Sequence, residues 1–209
     1  MRTIWDISPP VSRHSPVFPG DTPYRQSWRW TLTDACPVNV SEITLSPHVG
    51  AHADAPLHYD PQGRAAGTMA LEPFIGPCRV IHVRHGGPLI EPADLLEHLD
   101  GCPPRVLVST TARAPQHAWT DVFTAYAPAS LQLLAERGVQ LVGIDTPSVD
   151  PATSKSLDSH QILRRHDMRV LENLVLDHIA PGDYELIALP LALVEADASP
   201  VRAILRSLA

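Results

Sequence analysis

One short stretch of the sequence, SPHVGAHADAPLH, concentrates side chains that bind metal ions: His48, His52, Asp54 and His58. All four lie at even positions, so an extended chain would point them to one face. On a helix, His48 and His52 would be neighbours at i and i+4, although Gly50 and Pro56 disfavour a continuous helix. Both geometries bring at least two imidazoles together.

Clustered imidazoles favour a metal site because neutral imidazole offers a nitrogen lone pair, and zinc accepts nitrogen and carboxylate oxygen. Without a metal, packed imidazoles would repel one another when protonated and lose hydrogen bonds when buried. A zinc ion lowers the pKa of bound water to about 7, so the chemistry indicated is metal-assisted hydrolysis. A polar loop with exposed histidines is the open alternative. The segment HVGAH lacks the glutamate of H-E-x-x-H, which excludes the metalloprotease helix.

More ligands must come from elsewhere in the chain. The candidates are His160 in SLDSHQIL and Glu172 in RVLENLVLD, each beside an apolar run that would place it near the core. Taken alone, His160 could equally be a packed histidine and Glu172 a solvated charge. The residues themselves leave both alternatives open.

Apolar and β-branched runs between turn residues predict the strands that must position these side chains. The runs are RTIWDIS, SWRWTLT, VSEITLS, CRVIHVR, RVLVSTT, QLVGIDT, RVLEN, YELIALP and SPVRAIL. Three segments predict helices: EPADLLEHL, PASLQLLAERG and SLDSHQILRRH, the last with Ser156 or Asp158 as its cap. The stretch from Pro56 to Pro77 is expected to be mostly loop. This pattern predicts a mixed α/β or α+β domain.

Composition limits the classes of function. The 209 residues are 44% apolar and 19% charged, which predicts one globular domain spanning 1–209. A net charge of -7 without a basic cluster argues against nucleic acid, and no apolar run is long enough for a membrane span. The N-terminal residues lack the apolar core of a signal peptide, so a cytoplasmic location is expected.

Two other classes of site are disfavoured. The three cysteines, Cys36, Cys78 and Cys102, are widely spaced without C-x-x-C, so reduced thiols are expected rather than a disulfide framework or a thiolate zinc site. No G-x-S-x-G occurs, which leaves a serine hydrolase without support.

The histidine segment resembles the H-x-G-T-H-x-D-x-P-x-H signature of the cyclase-like metal-dependent hydrolases, with Ala51 in place of the threonine. Further segments are similar to the bacterial kynurenine formamidases (arylformamidases) of that family: FPGDTP, GIDTPSVDP, SLDSH, LENLVLD and YELIALPLALVEADASPVRAIL. The resemblance covers essentially the whole chain. It implies a cyclase-like α/β fold of the swivelling β/β/α type, with a central mixed β-sheet and flanking helices.

The resemblance also implies roles for individual residues. His48, His52 and Asp54 would hold a first zinc ion, and Asp54, as a bridge, would hold a second with His160 and Glu172. His58 would be the proton donor and acceptor. Phe18, where the family commonly has tryptophan, would line the substrate pocket with its ring. Manganese or another divalent metal could replace zinc.

The reaction implied is hydrolysis of the small molecule N-formyl-L-kynurenine to L-kynurenine and formate, by a homodimer. Two alternatives remain. One is a cyclase-family hydrolase of another amide or lactam, such as an isatin-type ring opener. The other is a non-catalytic binding module in which the metal only stabilises the fold.

Overall fold

The fold is built on one large mixed β-sheet, seen in a computed structural model that describes residues 2–113 and 118–208. The strands, numbered along the chain, occur in this order across the sheet: β1 (Ile4–Asp6), β13 (Ile204–Arg206), β11 (Gly182–Ile187), β5 (Ile75–His82), β7 (Arg105–Ser109), β9 (Leu141–Ile144), β10 (Arg169–Glu172), β4 (His52–Asp54) and β12 (Ala198–Pro200). The four central strands, β5, β7, β9 and β10, are parallel, and the outer strands pair antiparallel.

The central strands are apolar on both faces, as expected for parallel strands covered on both sides. Every residue of β7 and of β9 is buried. Close packing surrounds Gly143 in β9: a Cβ there would lie 2.5 Å from Leu107 Cδ2 and 2.8 Å from Leu174 Cδ1, so both leucine side chains would have to shift. Successive residues of a strand point to opposite faces of the sheet, so the central strands contribute to two separate hydrophobic clusters, one on each face.

Three helices contribute to one of these clusters: α1 (Pro92–Leu96), α2 (Pro128–Glu136) and α3 (Asp158–Arg165). Their buried residues include Leu95, Leu131 and Leu163. Helix α2 has proline in its first turn and is followed by Gly138 at φ +81, the left-handed conformation that favours glycine after a helix. All three predicted helices are confirmed, and all three contribute to the cluster on the same face of the sheet.

The start of α3 differs from the prediction. The expected caps, Ser156 and Asp158, do not cap the helix; Leu157 holds the cap position at φ +51 without a side-chain hydrogen bond. Instead, the carboxylate of Asp150 accepts two first-turn backbone N–H groups at 2.9 and 3.0 Å. A carboxylate from the preceding loop therefore satisfies donors that a local cap would otherwise satisfy.

A two-stranded hairpin lies outside the main sheet. Its strands, β2 (Arg25–Trp30) and β3 (Val40–Thr44), are exposed along their whole length. Trp28, Trp30 and Ile43 are 58%, 60% and 52% exposed. A hairpin of this kind, with large apolar side chains in water, has little stability of its own.

The remaining strand predictions are mostly confirmed. Each predicted run contains a strand, but SPVRAIL divides into β12 and β13, which lie near opposite edges of the sheet. The short strands β4, β6 (Leu89–Ile90) and β8 (Ala125–Tyr126) were not predicted. The predicted loop from Pro56 ends early because β5 begins at Ile75, and it contains three short 3₁₀ helices, Pro56–His58, Ala66–Thr68 and Glu72–Phe74.

The cysteine prediction is confirmed, since the three thiols are free and Cys78 is buried. Burial raises the pKa of the Cys78 thiol to about 12. Among the described residues, no helix has both the length and the apolar character that crossing a membrane requires.

Candidate active site and metal centre

Strand β4 places two candidate ligands side by side. Because strand side chains alternate, His52 and Asp54 share one face while Ala53 contributes to the hydrophobic cluster on the other. On the neighbouring strand β10, Glu172 is the direct cross-strand partner of His52. His160, in the first turn of α3, approaches the same face.

Asp54 lies at the centre of the cluster, with one carboxylate oxygen towards each group of ligands. Its Oδ1 atom is 3.0 Å from His48 Nδ1 and 3.3 Å from His52 Nε2. Its Oδ2 atom is 3.3 Å from His160 Nε2. Glu172 completes the second group, with Oε1 3.7 Å from His160 Nε2. The structure therefore brings all five predicted ligands together, in two groups that share Asp54.

The residues present fit metal ions. His52 Nε2 and Asp54 Oδ1 are buried without a hydrogen-bond partner, although they lie 3.3 Å apart. A buried polar atom without a partner costs free energy, and a cation coordinated by both atoms would remove that cost. Imidazole nitrogen and carboxylate oxygen suit zinc, and they also suit other divalent metals.

Each of the three candidate ligand histidines presents one ring nitrogen to the cluster and the other to an oxygen outside it. The outer pairs are His48 Nε2 with Asp197 Oδ2 at 3.0 Å, His52 Nδ1 with the Gly50 carbonyl at 2.9 Å, and His160 Nδ1 with Asp150 Oδ2 at 2.7 Å. A ring N–H donated to such an oxygen fixes the tautomer and the ring orientation. The inner nitrogens are thereby oriented towards the shared carboxylates.

The histidines and carboxylates of the cluster shift one another's pKa values. Burial alone would lower the pKa of His52 and His160, but the attraction of the surrounding carboxylates outweighs it and raises each pKa to about 10. Burial opposes the ionisation of Asp54, but the attraction of the three neighbouring histidines prevails and holds its pKa well below the usual value. In the metal-free protein, protons on the imidazoles therefore balance part of the negative charge.

The loop between the first two ligands requires glycine. Gly50 has φ +71, and a Cβ there would lie 2.7 Å from Val11 Cγ2. The next residue, Ala51, is buried in the hydrophobic cluster, where the family signature has threonine. The chain thus turns sharply after His48 and enters β4 at His52, which accounts for the extended geometry of His52–Asp54.

The cluster opens into a cavity of about 360 Å³. His58 lies beside it, with its ring centroid 4.4 Å from that of His48 and Nδ1 3.2 Å from Asp197 Oδ2. Phe18, 54% exposed, lines the same cavity and makes an edge-to-face contact with Trp119 at 5.2 Å between centroids. Phe18 is therefore not part of the ligand cluster but contributes to an aromatic wall of the cavity.

Sequence reasoning missed two carboxylates, Asp150 and Asp197, that contact the histidines. Asp150 lies in GIDTPSVDP and Asp197 in VEADASP. Each is an acid in a loop, and its position in the sequence shows no spacing that connects it to a distant histidine. A search for carboxylates near the predicted turns could have proposed them as candidates, but their partners are visible only in the folded chain.

Residues 5–151 match the sequence profile of a family described as "Putative cyclase". A kynurenine formamidase from Bordetella pertussis is 68% identical over 209 residues, which cover 100% of both chains. A kynurenine formamidase from Delftia acidovorans is 63% identical over 208 residues, covering 100% of this chain and 99% of that protein.

Solved structures agree with these relatives. A protein described as a potential metal-dependent hydrolase with cyclase activity superimposes with a TM-score of 0.85, at 27% identity and with 100% of both chains covered. Isatin hydrolase A from Labrenzia aggregata has a TM-score of 0.81 at 20% identity, covering 99% of this chain and 94% of that one, which shows the fold alone. The expected cyclase-like α/β fold is confirmed. The chain belongs to the cyclase family, and its resemblance to the kynurenine formamidases of that family is confirmed over its full length.

Proposed function

We propose that this chain is a cytoplasmic arylformamidase that hydrolyses N-formyl-L-kynurenine to L-kynurenine and formate, and that residues 1–209 form one catalytic domain. The observation that carries the reaction is the 68% identity, over both complete chains, to a kynurenine formamidase. The convergence of five ligand-type side chains beside a cavity supports a metal-dependent reaction.

Two zinc ions per subunit would fit the two groups of ligands. One would be held by His48, His52 and Asp54, and the other by Asp54, His160 and Glu172. When bound, such ions lower the pKa of water and polarise a carbonyl group. Manganese remains a candidate for the same nitrogen and oxygen ligands, because availability as well as affinity decides occupancy.

The hydrolysis also needs a proton-transfer group. The oxygen of water adds to the formyl carbon, the C–N bond breaks, and the leaving arylamine nitrogen must take up a proton. His58 is suited to deliver that proton because its Nδ1 is held near Asp197, which leaves Nε2 for exchange with the substrate. Phe18 and Trp119 would pack against the aryl ring of the substrate at the cavity wall.

A homodimer is part of the proposal. The exposed hairpin of β2 and β3 supports it, because an isolated two-stranded hairpin carrying Trp28 and Trp30 in water would be stabilised by burial against a second copy. The partner proposed is a second copy of the same chain, as the family resemblance implies.

The test is a formylkynurenine assay on protein stripped of metal by a chelator, with zinc or manganese added back. We expect no turnover in the stripped protein and restored turnover with at least one metal. Full turnover without metal would contradict a metal-dependent reaction, and no turnover with any metal would contradict the substrate.

Two further measurements separate the alternatives. Faster turnover of isatin than of formylkynurenine would favour a lactam hydrolase. Loss of the folded circular dichroism spectrum on chelation, without catalysis in the loaded protein, would favour a metal that only stabilises the fold.

A further inference from the structure

We propose that Asp197 is a positioning residue that orients both His58, for proton transfer, and His48, for metal binding, through one shared carboxylate oxygen. This inference rests on the proposed function. It goes beyond the five candidate ligands, because Asp197 is not one of them. Asp197 belongs to neither of the two groups that contain Asp54.

The first observation is the geometry of a single oxygen atom. Asp197 Oδ2 lies 3.0 Å from His48 Nε2 and 3.2 Å from His58 Nδ1. A carboxylate oxygen has two lone pairs and can accept one N–H from each ring. The two imidazoles lie 4.4 Å apart between centroids and meet at this acceptor.

The second observation is the attachment of Asp197 to the ligand strand. Its backbone carbonyl accepts the N–H of Ala55 at 2.9 Å, and the next residue, Ala198, is the cross-strand partner of Asp54 in β12. The position of the Asp197 carboxylate is therefore tied to the same strand pairing that places Asp54. A shift of β12 would move the acceptor of both histidines.

The consequence concerns which nitrogen of each ring is free. An Nδ1–H of His58 donated to Asp197 leaves His58 Nε2 as the atom that meets the substrate. An Nε2–H of His48 donated to the same oxygen leaves His48 Nδ1, 3.0 Å from Asp54 Oδ1, as the metal-binding atom. One carboxylate thus selects the tautomer of a ligand and of its catalytic neighbour.

The experiment compares Asp197→Ala and Asp197→Asn with Glu195→Gln. Glu195 is an exposed carboxylate two residues earlier, and it makes no side-chain hydrogen bond or ion pair within residues 2–113 and 118–208. For each variant we would measure kcat and KM for formylkynurenine at saturating zinc, the metal content of the saturated protein, and zinc affinity by competition with a chromophoric chelator.

We expect Asp197→Ala to lower kcat 10- to 100-fold with KM changed less than threefold, and to weaken zinc binding about tenfold at one site. Its metal content at saturation should equal that of the unmodified protein. Asp197→Asn keeps an oxygen acceptor and should recover part of kcat and of zinc affinity, whereas Glu195→Gln should change neither.

Three results would overturn the inference: an unchanged kcat in Asp197→Ala, a change confined to KM, or the loss of a bound ion at saturating zinc, which would make Asp197 a ligand. Failure of the proposed function is distinguishable. In that case the unmodified protein would not turn over formylkynurenine with any metal, while the zinc-affinity comparison would still report whether Asp197 orients His48.

Discussion

The Nδ1 atom of His160 lies 2.7 Å from the Oδ2 atom of Asp150, and the same carboxylate accepts the backbone N–H groups of Ser159 and His160. One side chain therefore holds both the start of α3 and the ring that the helix carries. Burial opposes ionisation of Asp150, but the hydrogen bonds from His160 and Ser159 outweigh it and lower its pKa.

Replacing Asp150 with alanine should weaken metal binding at the group containing His160 by about 10- to 100-fold, because the ring loses its orienting acceptor. Chelator competition would measure this. Asp150→Asn should lose less zinc affinity than Asp150→Ala, since the amide oxygen of asparagine can still accept one N–H. Equal zinc affinity in the alanine variant and the unmodified protein would contradict the role.

Substitutions of His58 and Asp54 should separate proton transfer from metal binding. His58→Ala should keep its metal content but lose about 10²- to 10⁴-fold in kcat, the usual contribution of general acid–base catalysis. Asp54→Ala should lose its bound metal as well as its turnover, because each of the two ligand groups contains this carboxylate. Elemental analysis and steady-state kinetics would check the pair, and full activity in either variant would refute its assigned role.

The stability of the metal-free protein should fall as pH rises from about 6.5 to 10. His52 and His160 have folded-state pKa values of about 10, above the ordinary 6.5, so their contribution is complete below pH 6.5 and is lost through the folded pKa. Urea unfolding of chelated protein at pH 6 and pH 9 would measure the difference. The same unfolding free energy at both pH values would show that the fold does not raise the pKa values of these histidines.

The ammonium group of Lys155 should lower KM for substrates that carry a free carboxylate, by forming an ion pair with it. It is the only lysine in the sequence and, among the described residues that line the cavity, the only Lys or Arg. Lys155→Met should raise KM for formylkynurenine about threefold, the scale of an exposed ion pair, with little effect on an aryl formamide that lacks the amino-acid group. Lys155→Arg should behave as the unmodified protein. Equal effects on both substrates would contradict a role in charge recognition.

The hairpin should control association. Replacing Trp28 and Trp30 with glutamate should convert a dimer into a monomer in multi-angle light scattering, because buried tryptophans commonly dominate interface energy. The thermal midpoint of the main sheet should change little, since these side chains lie outside it. Ser27→Glu, on the same strand, is the control. A double variant that remains dimeric would place the interface elsewhere.

The sequence was sufficient to predict the central strands and the three helices, because their apolar periodicity is strong and local. It was insufficient for β4, where HAD has only three residues and polar ends that resemble a loop. The roles of Asp150 and Asp197 were also beyond it, since each contacts a histidine 10 or more positions away through tertiary packing. The candidate ligands His48, His52 and Asp54 follow from residue type and spacing, whereas His160 and Glu172 needed the family resemblance to connect them to that segment.

The pairing of β4 with β10 makes His52 and Glu172 direct neighbours although 120 positions separate them along the polypeptide. Since β12 closes the other side of β4, no N-terminal portion emerging from the ribosome contains a finished binding cleft. An ion held by Asp54, His160 and Glu172 would therefore bind only after Glu172 has been synthesised, whereas His48, His52 and Asp54 are all present much earlier.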